Sequence, residues 1–423
     1  MQYDVIIIGG GPAGMMAAGR AAECGARALL IEKNDSLGQK LLITGGGRCN
    51  LTNAEFDINI FLDKFKDTAK FLFSPFSRFG VQDTLDFFHK RNMPTKIEAE
   101  KRVFPVTDKA ESVFAVLKQY MNEGTVTVLP GTSVMGLSAR EGKVDGVLLK
   151  NGEKMEAHSY ILATGGKSHP ETGSTGDGFR WLEGIGHTII KSQAVLVPIT
   201  IREKWVHALS GVSLADAKLS FFQNDTLGKR KKILPSKKGK VLFTHFGLSG
   251  PLVLNMSKSI SEFLPYGEVV VSLDLLPEMD FGMIDRKLQE IFEQNKNKKI
   301  KNILGEFAPA SFASALLEIV KINGEKAVNV ISREERLSLG RTAKGMQMTV
   351  TGLLGAEKAI VTSGGVTLPE VDFKTMRSRL YSNLYLVGDI LNIDRPSGGY
   401  SLQLCFTTGY VAGEEAAKIK KAL

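Results

Sequence analysis

Three glycines near the start of the chain, Gly9, Gly11 and Gly14, stand at the spacing G-x-G-x-x-G, with Pro12 and Ala13 before the last of them. Residues of this type at this spacing suit the binding of a pyrophosphate. Gly9 lets the chain turn sharply, Gly11 removes a side chain where a diphosphate must approach the backbone, and Gly14 lets a helix and a strand come close. Glu32 then stands where an acid can accept hydrogen bonds from a ribose diol. A second cluster follows, with Lys33, Gln39 and Lys40 leading into Thr44-Gly45-Gly46-Gly47-Arg48-Cys49-Asn50-Leu51-Thr52-Asn53. Backbone N–H donors and amide side chains of this kind can wrap the far end of a long cofactor, which suits FAD better than NAD. Taken alone, the first motif is also compatible with a glycine-rich turn in an unrelated α/β domain.

Groups able to move protons or electrons are fewer. Arg48 could hold an anionic substrate or the flavin, and Tyr400 could donate a proton near the ring. A dithiol relay needs two cysteines five apart, and the residue five after Cys49 is Ala54. Cys49 alone could be activated by Arg48, although a small buried packing residue is the plainer reading. His169 and His245 lie in glycine-rich segments and read first as ordinary loop histidines. No Ser-His-Asp order, metal-ligand spacing or carboxylate pair stands out, so no metal is expected.

The elements that must position these residues follow from periodicity. Tyr3 to Ile8 is the apolar, β-branched run of a strand buried on both faces, Met15 to Cys24 reads as a small-residue helix, and Ala28 to Ile31 as a second strand. A later strand from Tyr160 ends in Ala163-Thr164-Gly165-Gly166. Another, Leu384 to Val387, ends in Gly388-Asp389, and Gly399-Tyr400-Ser401 opens the last helix. The loop from Lys167 to Gly178 is a candidate wall over the flavin. Lys358 to Thr362 reads as a strand, and Phe61, Phe65, Phe71, Phe73, Phe76 and Phe79 as mostly core. The character changes near Val195. Strands near Lys218 to Phe222, Val241 to Thr244 and Glu268 to Leu273, then helices at Phe281 to Gln294 and Ser311 to Val320, predict an inserted unit over residues 195–345. The expected fold is α/β: a discontinuous Rossmann-like FAD-binding domain, residues 1–194 and 346–423, with an inserted mixed β-barrel-like and helical domain.

Composition sets outer bounds. A hydrophobic content of 43% and mean hydropathy of -0.02 are those of an ordinary globular chain. There is no apolar run of about eighteen residues and no leader before the first strand, so no membrane partner and a cytoplasmic location are expected. The net charge of +9 raises the question of an acidic partner. Seven basic residues fall between Lys229 and Lys240, around Pro235 and Gly239. A solvated loop is the plain reading, and an RNA-binding surface the sharper one.

The blocks GGGPAGMMAA, LGQKLLITGGGRCNLTN, ATGGKSHPETGSTGDGF, LFTHFGLSGP, VTSGGV and LYLVGDILNIDRPSGGYSLQ resemble those of the bacterial aminoacetone oxidase family of FAD-binding enzymes. These are NAD(P)/FAD-dependent oxidoreductases related to the two-dinucleotide-binding-domain flavoproteins. The resemblance runs through nearly the whole chain, and GGGRCNLTN and FTHFGLSGP are its more specific blocks. It implies that Val134 meets the adenine, that Ala163 to Gly166 pass the cofactor, and that Asp389 reaches the ribityl chain or the pyrophosphate. The family usually carries Glu at that last position, one methylene longer. The helix opening at Gly399 to Ser401 would point its positive end toward the flavin pyrimidine. The expected activity is hydride transfer through FAD to or from a small organic substrate. NAD(P)H could serve as transient donor, although no second G-x-G-x-x-G follows a strand. Amine oxidation by O₂ and action on RNA are the alternatives.

Overall fold

The computed structural model describes residues 3–224, 230–354 and 361–418. The chain divides into two compact units, Met1–Ala194 with Ala356–Leu423, and Val195–Gly355.

The first unit is built on β1 (Tyr3–Ile8), whose Val5, Ile6 and Ile7 are wholly buried. A strand apolar on both faces can sit only inside a sheet covered on both sides. β1 pairs in parallel with β2 (Ala28–Ile31) on one side and with Ala157–Leu162 on the other. Thr127–Leu129 extends the sheet beyond β2, and Leu384–Leu386 extends it beyond Ala157–Leu162, both in parallel. Arg377–Ser378 and Val371–Asp372 close that edge antiparallel, giving seven strands.

Helix α1 (Pro12–Glu23) crosses from β1 to β2, and its small residues let two helices approach it. The last described helix, Tyr400–Lys418, packs on it through Gly409 and Gly413. A Cβ on either would lie 2.4 Å from the Ala13 or Ala17 carbonyl oxygen. On another side the Tyr120 ring of helix Ala110–Glu123 fills the space beside Gly19. Of the phenylalanines expected as core, Phe61, Phe65, Phe76 and Phe79 are buried, whereas Phe73 is 51% exposed.

The second unit is a closed six-stranded antiparallel barrel. Its order is Ile199–Ile201, Gly247–Ser249, Arg230–Thr244, Ser213–Asn224, Val269–Asp274, Met346–Leu353. Helices Phe281–Gln294, Ala313–Val320 and Arg333–Lys344 belong to the same unit and share its hydrophobic core.

Two expectations are corrected here. Met346–Leu353 pairs with Val269–Asp274 and with Ile199–Ile201, so the chain leaves the barrel only after this strand and not at residue 346. The basic stretch is a strand, not a loop: Arg230–Thr244 runs along Ser213–Asn224. Pro235 is accommodated because the register shifts there, Leu219 pairing with Lys237 but Phe221 with Leu234. An irregularity of this kind is where a sheet tolerates proline. Lys229 and residues 358–360 of the expected strand lie outside the described residues. The strand described in that region is Val361–Val366.

Candidate functional site

A groove opens at the carboxyl ends of the parallel strands of the first unit. Binding crevices of open α/β sheets lie in this position. Its floor is the turn from β1 into α1. Gly9 adopts φ +107°, and a Cβ there would strike the Ala163 carbonyl oxygen at 2.5 Å. Gly14 is tighter still, with its Cβ position 1.9 Å from the Gly9 oxygen. Gly11 differs from both: a Cβ on it meets nothing within 4 Å, so its open side faces free space at the start of α1.

One end of the groove is organised by Glu32, which is buried. Its carboxylate accepts from the Gly10 N–H at 2.7 Å and from the Asn34 N–H at 2.9 Å. Thr132 and Val134 line the groove beside it, and the Thr132 N–H donates to the Glu32 carbonyl at 2.9 Å. A strap formed by residues 172–177 is tied down over this end. Lys33 Nζ donates to Asp177 at 2.9 Å and to Thr175 at 2.6 Å, and the Asn34 amide donates to the Thr172 carbonyl at 3.0 Å. Burial opposes charge on Asp177, but Thr175, Lys33 and Arg180 together hold its carboxyl down to about 2.

Toward the other end Lys40, Thr44, Asp389, Ser401, Leu402 and Cys405 line the groove, as do Ala163, Thr164 and Gly165 along its length. Gln39, Lys33, Pro12 and Ala13 also line it. Asp389 is enclosed; burial raises its carboxyl, yet Arg395 and Lys40 bring it below the usual carboxylate range. Thr164 Oγ1 is buried and has no hydrogen-bond partner among the described residues. Such an orphan at a groove wall is a place for a ligand's polar atom.

The second glycine cluster departs from expectation. Only Thr44 of it lines the groove. Gly45, Gly46 and Gly47 all take positive φ, forming a loop whose following side chains are engaged elsewhere. Arg48 stacks on Phe104 and bonds Glu98 and Asp108, so it is tied to the hairpin Thr95–Pro105 rather than presented to a ligand. Cys49 is fully buried, which pushes its thiol up to about 12 and removes it as a nucleophile. The Asn50 side chain accepts from the Val103 N–H, and Asn53 donates to the Glu100 and Gly398 carbonyls. These amides therefore brace the loop instead of wrapping a ligand.

Gly14, Gly388 and Gly399 act behind the lining, and Gly166 is buried and does not line the groove. Gly388 packs on Ala13, and a Cβ on Gly399 would strike Thr52 at 2.3 Å. Tyr400 is buried with its ring 4.8 Å from Phe61 and does not line the groove, so its assignment as proton donor is not supported by its position. His169 bonds Glu171, and His245 sits in the tight turn into Gly247–Ser249 of the second unit. The loop Lys167 to Gly178, expected as a wall over the cofactor, supplies Thr172, Gly173, Ser174 and Asp177 to the lining, whereas Asn34 and Trp181 in the lining, and Arg395 behind it, were not singled out from the sequence. The glycine spacing of residues 173–178 was the available signal for the strap. Among the described residues no helix is long and apolar enough to cross a membrane.

Comparison with known proteins agrees with this architecture. The model of the HI0933-like protein Rossmann domain matches residues 3–415. The chain is 30% identical over 415 residues to the 3-dehydro-bile acid delta(4,6)-reductase of Clostridium scindens, covering 97% of this chain and 98% of that one. It is 28% identical over 424 residues to the ribosomal RNA dihydrouridine synthase of Escherichia coli, covering all of both. Among solved structures, the 3-ketosteroid delta1-dehydrogenase of Sterolibacterium denitrificans superimposes with a TM-score of 0.56 at 13% identity, over 98% of this chain and 99% of that one, which speaks for the fold. These comparisons show the broader kinship and leave the finer aminoacetone oxidase resemblance unaddressed: the chain belongs to the HI0933-like family and is an FAD-dependent oxidoreductase.

Proposed function

We propose that FAD lies in the groove of the first unit and that the enzyme adds a hydride and a proton across a carbon–carbon double bond conjugated to a carbonyl, with NAD(P)H as electron donor. The observation that carries the placement is Gly11. Its side opens on free space at the start of α1, where backbone N–H groups and the helix dipole favour an anion such as a diphosphate. The orphaned Thr164 hydroxyl and the glycines packed behind the floor fit the same cofactor.

Bound FAD supplies two-electron transfer through the N5 position of its ring. The chain's own residues bind and orient. Gly11, Pro12 and Ala13 would receive the diphosphate, and Glu32, already fixed by two backbone N–H donors, would accept from a ribose hydroxyl with its remaining lone pairs. Thr132 and Val134 would flank the base, and the Lys33–Asp177 tie would enclose that end. The reductive direction is supported by the two full-length relatives. A delta(4,6)-reductase of a 3-dehydro bile acid and a dihydrouridine synthase both saturate a double bond in conjugation with a carbonyl.

The test is anaerobic. The flavin band should bleach with NADH or NADPH and return when an α,β-unsaturated ketone is added. Bleaching by an amine but by neither nicotinamide would replace the reading with amine oxidation. Uridine in RNA is a second acceptor with the same bond chemistry, favoured by the exposed Lys231, Lys232, Lys237 and Lys240 of the barrel strand Arg230–Thr244.

A further inference from the structure

Lys40, Asp389 and Arg395 form an ion triad at the groove wall, with Arg395 buried and Asp389 and Lys40 partly exposed. Asp389 faces the groove and stands between the two cations. Arg395 is behind it, its side chain wholly buried, and donates to Asp389 Oδ1, to the Ile393 carbonyl at 2.7 Å and to Ser401 Oγ at 3.1 Å. Lys40 Nζ lies 3.4 Å from Asp389 Oδ2 on the groove side and donates to Ser168 Oγ at 2.5 Å. Two cations share one carboxylate, and among the described residues no second carboxylate pairs with either.

A buried guanidinium is tolerated when a carboxylate and further acceptors satisfy it, and Arg395 has that set. Once Asp389 has neutralised one cation, a unit of positive charge is left over at the groove wall. Gly388, next to Asp389, packs on Ala13 in the first turn of α1, and Ser401 lies in the first turn of helix Tyr400–Lys418. Two helix N-termini thus add their positive ends to the same wall. At this end of the groove that local positive potential favours an anion, while Glu32 and the Lys33–Asp177 pair lie at the other end.

We propose that this triad recognises the negative charge of FAD by its net charge of +1, with Lys40 presenting the charge and Arg395 acting as a positioning residue that never touches the ligand. The proposal rests on FAD occupying this groove. Arg395 fixes the Asp389 carboxylate and the Ser401 hydroxyl, and Asp389 in turn holds Lys40 against the wall. The anionic part is either the diphosphate, present in every redox state, or the flavin ring after it has gained electrons. Both are met by the same chemistry, and they separate by measurement.

The test compares Lys40→Met and Arg395→Met (net charge zero), Asp389→Asn (+2) and the double variant Asp389→Asn/Arg395→Met, which returns the net charge to +1. Full-length protein is assayed for FAD and riboflavin affinity and for the midpoint potential of the bound flavin at one pH. If the diphosphate is the anion, FAD binding weakens about tenfold or more in both zero-charge variants and recovers in the double, while riboflavin binding stays level. If the reduced ring is the anion, FAD affinity stays level and the midpoint potential follows net charge, lowest in the zero-charge variants and highest in Asp389→Asn. A double variant no better than Arg395→Met in both measurements overturns the proposal, because packing damage alone makes two substitutions worse than one. Should Arg395→Met not accumulate, Lys40→Met decides: unchanged FAD affinity and unchanged potential overturn it. Gly11→Val is run alongside. If that variant keeps stoichiometric FAD, the placement of the cofactor has failed rather than the triad.

Discussion

A Cβ on Gly14 would lie 1.9 Å from the carbonyl oxygen of Gly9, whereas one on Gly11, between them in sequence, meets nothing within 4 Å. The two kinds of glycine therefore fail differently. Gly14→Ala forces helix from strand in a packed core and should destabilise the chain by about 2 kcal/mol or more. Gly11→Ala should leave the melting temperature of the cofactor-free protein unchanged while weakening FAD binding. Melting curves of the two apoproteins check this, and equal destabilisation would refute the distinction.

The tie between Lys33 and Asp177 holds the strap of residues 172–177 over the Glu32 end of the groove. Both side chains are partly exposed, so the tie is worth no more than about 1 kcal/mol. Asp177→Asn keeps the shape and removes the charge. FAD should then leave about fivefold faster, read from the release of flavin fluorescence into an excess of competing apoflavoprotein. An unchanged off-rate would show that the strap does not retain the cofactor.

The basic strand makes a separate prediction. Arg230 is engaged by Gln347 and stacks on Phe222, and Lys238 pairs with Glu278, but Lys231, Lys232, Lys237 and Lys240 are exposed. If RNA docks there, retention on an RNA matrix should fall steeply with salt. Replacing the four lysines by Gln should flatten that dependence, by nearly one unit of slope for each phosphate that a lysine had neutralised. The same retention and the same slope in the variant would remove RNA docking at this strand and leave a small conjugated carbonyl compound as the acceptor.

What was legible in the chain follows from locality. The strand, glycine turn and helix of residues 3–23 could be read because each residue's role depends on neighbours within a few positions: β-branched run, sharp turn, open phosphate face, close packing. The second cluster misled because its composition was right for ligand contact while its partners, Glu98 and Asp108 for Arg48 and Val103 for Asn50, come from the hairpin Thr95–Pro105 and the turn just after it, about fifty to sixty residues on. Arg395 was invisible for the same reason. Its value lies in Asp389, Ser401 and, through Asp389, the distant Lys40. Pro235 and Gly239 spoke locally for a loop, but barrel closure pairs both flanks and absorbs the proline at a register shift. Tertiary pairing overrides local preference most readily in strands.

His187, Glu370 and Ser378 meet in the interior although no such order stood out in the chain. His187 Nδ1 lies 2.6 Å from Glu370 and Nε2 lies 3.0 Å from the Ser378 hydroxyl. That hydroxyl already accepts from the Leu380 and Tyr381 N–H groups, so its proton points to Nε2 and the imidazole is the neutral form with its own proton toward Glu370. The Ser378 hydroxyl is buried, which makes the trio a staple between the residues after helix Asp177–Gly184 and the sheet edge, not a nucleophile. Burial pushes His187 below its ordinary value, outweighing the pull of Glu370. The unfolded chain therefore takes up a proton near pH 6.5 that the folded chain refuses. The stabilisation is complete above that pH and is lost as pH falls below it toward the depressed folded value. Glu370 is also held low, but its loss begins only in the carboxylate range, further down. The melting temperature of the wild type should thus decline between pH 7.5 and 5.5, and His187→Gln, less stable by about 1–3 kcal/mol for the lost buried hydrogen bonds, should start lower yet decline less steeply. Parallel curves for the two proteins would mean that His187 does not titrate between its folded and unfolded states in this range.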